Sequence, residues 1–394
     1  MTTSTLTVAA AGGQRTASTG RPGCRASHAR IAAALGQYAE SQSGYAILPE
    51  PARHAVLEIG DRLHGLRETL RPAEPGWGGS PEADGISESL VVSALRDAVN
   101  PCLDVLRREI GLAGPAAWRA ASRYFHDRFG ALIGLSPFAA RCFHKPLGYA
   151  GDFEMMNMVY RNESLGDTLF GRSLSRVLLD SDAGQAVRHR AHYLVGKITA
   201  AAVRGGPHRS ARILSVAAGP AMELQLILRK DPSLLCAGNA EITLLDQDAG
   251  ALKHAREQIQ ALAARAGVEV TLSCVNTSIM TVIAAGLHGS YDLIYSAGLF
   301  DYLKDRTASA AGARLVDALT PGGSAVIGNF GVANPTRPLM ELFLDWPLHH
   351  RSASDLRRLF GDIGTSMTIE QEATGVNLFA VIRAISTRSG IDEP

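Results

Sequence analysis

From residue 211 onward, short apolar runs alternate with helical patterns, and this alternation constrains the fold more than any other feature of the chain. The runs are ARILSVAA (211–218), EITLLDQD (241–248), VEVTLSCVN (268–276), SYDLIYSAG (290–298) and GSAVIGNFG (323–331). Between the second and third, Leu252, Ala255, Ile259 and Leu262 recur three or four residues apart, on one face of a helix. Strands separated by helices pair in parallel through crossovers, so both faces of the sheet are covered. SMTIEQEATGVNLFAVIRAI (366–385) reads instead as two strands joined by a glycine-containing turn, an antiparallel hairpin. The expected fold is α/β: a doubly wound, Rossmann-like sheet of seven strands whose last hairpin is antiparallel.

No strand is expected before residue 205. Residues 29–70 and 116–134 carry apolar positions at helical spacing, a Pro/Gly-rich break occupies 71–85, and Pro101 is expected to kink or split the helix that follows it. The stretch 167–203 reads as helix with a break at Gly184. Residues 1–39 hold four arginines, no acid and no apolar block, which suits a disordered tail better than a targeting segment. The organisation expected is a tail over 1–28, an all-helical cap over 29–205 and a nucleotide-type domain over 206–388.

A net charge of +1 argues against nucleic acid as a partner. The five cysteines are scattered and form no CxxC pair, as expected of reduced thiols in a cytoplasmic protein. No run reaches the ~20 apolar residues of a membrane span. No metal site is expected, because the adjacent His349 and His350 would not both face one ion.

The strand ends carry the chemistry. After the first strand, RILSVAAGPAMEL sets Ser215, Ala217, Gly219 and Ala221 where an acid-x-Gly-x-Gly-x-Gly loop would stand, followed by Pro220 and Glu223. Small residues there let backbone approach a ligand closely, and Gly219 admits a positive φ. Asp246 ends the second strand, where an acid accepts both ribose hydroxyls of an adenosine; Gln247 follows it, and Asp248 is expected to cap the next helix. Asn276 ends the third strand, facing an adenine edge. Ser296, Ala297 and Gly298 end the fourth, where a methionine moiety would lie, with Asp301 and Tyr302 beyond. No GxxxxGK[ST] or GxGxxG is present. Together the four strand ends suit S-adenosylmethionine on a class I methyltransferase sheet. Two further segments are expected to face a ligand. HKPLGYAGDFEMMNMVYRNE (144–163) includes Tyr149 and Asp152. Residues 329–360 include Met340, Phe343 and Trp346 for an apolar wall, with His349, His350 and Arg351 to hold an anion.

KPLGYAGDFEMMNMVYRN, LSVAAGPAMEL, YSAGLFDYL and MELFLDWPLHHRSASDLRRLF resemble the bacterial family of 3-hydroxypalmitic acid methyl ester biosynthesis proteins, over about residues 140–385. The resemblance implies methyl transfer to the carboxylate of a 3-hydroxy fatty acid, giving an ester used in quorum sensing. Tyr149, His350 or Arg351 would then orient the carboxylate, Asp152, Asp301, Tyr302 and Trp346 would stand on the substrate side, and the acyl chain would lie among the N-terminal helices. The implied partner is a small or lipid-like acid, with weak association to the inner membrane surface through the apolar product. The same family texture occurs in enzymes that cyclise S-adenosylmethionine to azetidine-2-carboxylate and methylthioadenosine. The departures at Ser215, Ala217 and Ala221 leave a third alternative, a module that binds the cofactor without catalysis.

Overall fold

The computed structural model describes residues 48–74, 81–113, 115–205, 209–364 and 366–384. The tail expected over 1–28, the start of the helical cap at 29–47 and the last residues of the 206–388 domain lie outside the described residues.

Among the described residues, seven helices precede the first strand: α1 (Glu50–Leu70), α2 (Pro81–Ala113), α3 (Pro115–Ile133), α4 (Pro137–His144), α5 (Phe153–Arg161), α6 (Leu169–Leu179) and α7 (Asp182–Gly205). In α1 the buried positions Ala52, Val56, Ile59 and Leu63 mark one face, as the 3.6-residue period requires. Helix α2 departs from expectation at its start. It begins inside the anticipated loop, and Pro101 does not split it. The break expected at Gly184 falls at 180–181 instead, and Gly184 sits in the first turn of α7. There a Cβ would stand 2.2 Å from the Leu179 carbonyl oxygen, so the glycine permits close packing rather than ending a helix.

The sheet strands are β1 (Ala211–Val216), β2 (Ala240–Asp246), β3 (Thr271–Asn276), β4 (Tyr291–Ser296), β5 (Leu319–Phe330), β6 (Ser366–Gln371) and β7 (Asn377–Arg383). Their order is β3-β2-β1-β4-β5-β7-β6, with β7 antiparallel to both neighbours and β1 to β5 parallel. Strand β5 starts four residues before the expected 323: Leu319 already pairs with Tyr291, and the Pro321–Gly323 turn interrupts the register before Ser324 pairs with Leu293. The crossovers are α8 (Met222–Lys230), α9 (Ala249–Ala266), α10 (Ile279–Ala285) and α11 (Asp305–Asp317); α12 (Arg337–Phe343) and α13 (Ala353–Phe360) lie between β5 and β6. Helices α7, α8 and α9 cover one face of the sheet, and α10, α11 and α13 the other.

Helix α7 belongs to two cores. Its Ala183, Ala186 and Val187 pack with the N-terminal helices, while Leu194, Ile198 and Ala201 pack on the sheet. The segment after β5 returns to the helical core through Leu339, Met340, Phe343 and Trp346. Met340 and Phe343 are therefore core residues rather than the cavity wall anticipated for them; the Phe343 ring lies 5.0 Å from that of Phe125. No described helix is long and apolar enough to cross a membrane.

Candidate active site

A cavity opens at the carboxyl ends of β1, β2 and β4, roofed by the 149–160 segment and walled by α7. This is the crevice where the strand order reverses, the position at which open α/β sheets bind ligands. Its floor is the β1–α8 turn. Ala217, Gly219 and Ala221 all take left-handed backbone, at φ of 53°, 53° and 49°. An alanine in this region costs about 1–2 kcal/mol through its Cβ. Replacing Ala217 by glycine should accordingly stabilise the protein by about 0.5–1 kcal/mol, once the looser unfolded chain is set against the relief. Ala218→Gly, at a position without positive φ, should destabilise by a similar amount; melting curves in which both variants fall would contradict a strained loop.

Asp246 closes β2 with its carboxylate in the cavity and is 7% exposed. One oxygen accepts from Gly219 N–H at 2.9 Å and the other from Asp248 N–H at 2.9 Å. Burial raises its pKa, outweighing those two donors. Asp248 caps α9 as expected, accepting from Gly250 and Ala251. Tyr149 reaches Asp248 from the roof at 3.4 Å, and burial pushes its hydroxyl pKa up.

At the β4 end stand Ala297, Gly298, Asp301 and Tyr302. Asp301 is 2% exposed, and burial lifts its pKa to about 6 although Phe330 N–H donates to it at 2.6 Å. The Tyr302 oxygen accepts from Trp346 Nε1 at 2.7 Å. It packs so closely over Gly151 that a Cβ there would lie 2.3 Å away. Ser215, Pro220, Glu223 and Gln247 also line the cavity.

Several expected site residues do not line it. Asp152 caps α5 through Met155 N–H and is held in a two-pronged ion pair by Arg141, both contacts at 3.0 Å. The Asn276 amide donates to the Asp246 and Gln247 carbonyls, each at 3.0 Å, so it braces the β2–α9 turn, while Thr277 and Ile279 take the cavity wall. Ser296 is fully buried with its hydroxyl unpartnered. His350 contacts Asn334 at 3.2 Å, and burial lowers its pKa to about 3, so it carries no charge with which to hold an anion. Arg351 is equally committed to structure, binding the Phe300 and Leu303 carbonyls, Asn329 and Asp305.

The lining also includes residues not singled out from sequence: Gly151, Phe153, Met156, Tyr160, Arg190, Tyr295 and Phe330. Arg190 carried a legible signal. It falls on the buried face of α7 with Ala186 and Leu194, where a charged residue is otherwise out of place.

Residues 214–325 match the model of the methyltransferase domain family. No curated protein matches the chain. Solved structures similar to it include a possible exported protein from Bordetella parapertussis, 17% identical, covering 78% of this chain and 100% of that one at a TM-score of 0.47. An O-methyltransferase family protein from Burkholderia thailandensis is 13% identical, covering 54% and 61% at 0.39. Magnesium protoporphyrin IX methyltransferase from Synechocystis PCC 6803, solved with bound S-adenosylmethionine, is 16% identical, covering 50% and 83% at 0.35. The strand order and the domain match define the class: the chain is an S-adenosylmethionine-dependent methyltransferase. The residues present fit that cofactor, with a buried carboxylate at the β2 end for a diol and small left-handed residues along the β1 turn.

Proposed function

We propose that this enzyme methylates a carboxylate oxygen, with a 3-hydroxy fatty acid as the acceptor. The observation that carries this reading is the character of the lining. Tyr149, Tyr160 and Tyr302 offer donors, and no histidine, lysine or cysteine stands among the described lining residues. Burial raises the pKa of all three tyrosines, so they remain protonated and donate. Such a site suits a nucleophile that arrives already anionic. A carboxylic acid with an ordinary pKa near ~4.3 does so at neutral pH and needs no general base.

The bound cofactor supplies an electrophilic methyl carbon. The protein's part is to strip water from the carboxylate and hold one oxygen in line with that carbon, where positioning contributes up to about 7–11 kcal/mol. Because Tyr302 already accepts from Trp346, its own proton is free to donate to the acceptor. Methylation removes the acceptor's charge, which weakens its hold on these donors and favours release of the ester. Met156, Leu299, Phe330 and Trp346 supply apolar surface for the carbon chain nearest the reacting end.

A second reading is cyclisation of the cofactor's own aminobutyrate arm to azetidine-2-carboxylate. It is favoured by the way the N-terminal helices close their apolar faces on one another in a continuous core. Mass spectrometry of purified enzyme with S-adenosylmethionine, with and without 3-hydroxypalmitate, separates the two. Acceptor-dependent S-adenosylhomocysteine plus a methyl ester is the expected result. Methylthioadenosine formed without any acceptor would replace it with the cyclase, and cofactor binding with no turnover of either kind would overturn both.

A further inference from the structure

Arg190 and Glu223 form a buried pair of opposite charges on the cavity wall that the methyl-transfer chemistry leaves unexplained. Arg190 is 6% exposed, and its Nε is buried without a hydrogen-bond partner. One terminal nitrogen reaches the Met156 sulfur at 3.3 Å, the guanidinium also bonds the Tyr160 hydroxyl, and Glu223 and Asp301 act on it through space without a direct ion pair among the described residues. A desolvated cation with no carboxylate bonded directly to it is costly, and an anionic ligand would complete it. The fold also makes room for it: a Cβ at Gly298 would lie 2.9 Å from an Arg190 terminal nitrogen, so the glycine ending the β4 turn admits the guanidinium to the cavity.

Glu223, in the first turn of α8, is 5% exposed and accepts from the Tyr295 hydroxyl at 2.8 Å. The loop after β1 lacks the acid that usually opens its pattern, since Ser215 stands there. Glu223 returns a carboxylate to the same wall from the following helix, and both residues line the cavity.

We propose that Arg190 and Glu223 together bind the zwitterionic α-amino-acid end of the cofactor, Arg190 taking its carboxylate and Glu223 its ammonium. The pair matches a zwitterion in both sign and number of charges, and binding one neutralises both buried groups at once. Recognition is then divided, with Asp246 reading the nucleoside and Arg190 with Glu223 reading the amino acid. The proposal rests on the cofactor assignment above and is independent of the acceptor.

The test compares calorimetric affinity for S-adenosylhomocysteine with that for methylthioadenosine, which has the same nucleoside and thioether but no amino-acid end. Wild type should prefer S-adenosylhomocysteine. Arg190→Gln should weaken S-adenosylhomocysteine by about tenfold or more, as for lost hydrogen bonds to charged groups, with methylthioadenosine held within about twofold. Glu223→Gln should act in the same direction. Arg190→Lys, which keeps the charge but not the fork, should fall between and supplies the reading if Arg190→Gln does not fold. Equal weakening of both ligands in folded variants, or no weakening, overturns the proposal, as does a wild type with no preference. A wild type that binds neither nucleoside overturns the cofactor assignment itself.

Discussion

Asp246→Ala should weaken S-adenosylhomocysteine binding roughly ten- to a hundredfold, as expected for loss of about 1–3 kcal/mol of hydrogen bonding to a buried charge. The carboxylate sits at the end of β2 with each oxygen already accepting one backbone N–H, from Gly219 and from Asp248. Burial nonetheless makes its charge unfavourable. Asp246 lines the cavity in which its carboxylate is proposed to accept the ribose hydroxyls. Truncation also leaves the two N–H groups without their acceptor, so the variant should lose about 1–3 kcal/mol of stability as well. Asp246→Asn, which retains one acceptor oxygen, should fall between. Calorimetry showing unchanged affinity in a folded Asp246→Ala protein would remove the ribose assignment.

Asp301→Asn should make the protein more stable than wild type above pH 6, by up to about 3 kcal/mol less the cost of burying an amide. The group's pKa is 3.8 in its ordinary state and about 6 in the fold, because burial disfavours the charge more than Phe330 N–H and the nearby Arg190 and Arg351 favour it. The sign follows from that direction. A carboxyl whose pKa is raised by folding binds its proton more tightly in the native state. Its favourable contribution is therefore complete below pH 3.8 and is lost as the pH rises through 6. The asparagine variant lacks this loss while keeping an oxygen for Phe330 N–H, so the two denaturation curves should converge near pH 4 and separate above 6. Parallel curves across that range would show that Asp301 titrates normally. If the acceptor is a carboxylate, its KM should also rise above pH 6 in wild type, where Asp301 becomes anionic, and stay flat in the variant.

Most of the sheet was legible because its signals are local. The alternation of strand and helix from residue 211 to the hairpin follows from apolar period alone, and Asp248 reads as a helix cap from its position after β2. The strand-end positions brought Ser215, Ala217, Gly219, Pro220, Glu223, Asp246, Gln247, Ala297 and Gly298 to one cavity. Asn276 shows the limit of that reasoning. It occupies the expected strand end, yet its amide is turned into the neighbouring turn, and which way a side chain points there is decided by the carbonyls it finds.

The helical region was less readable for a related reason. Met340, Phe343 and Trp346 are equally apolar and lie within seven residues, but only Trp346 lines the cavity, since α12 packs Met340 and Phe343 into the N-terminal core and Trp346 stands beyond its end. Asp152 and His350 are chemically able residues whose partners, Arg141 and Asn334, come from elsewhere in the chain. Arg190 is the converse case, a charge on an apolar helical face whose meaning appears when Gly298, Glu223 and Tyr160 are set around it.

Local propensity and hydrophobic period thus suffice for the elements, their parallel pairing and the end of the sheet where a ligand belongs, because each depends on residues a few positions apart. The assignment of side chains to cavity, core or brace depends on contacts such as those between residues 190 and 298 or 302 and 346. Those exist once the helices and sheet have packed, because desolvation and hydrogen-bond satisfaction are set by neighbours distant in sequence.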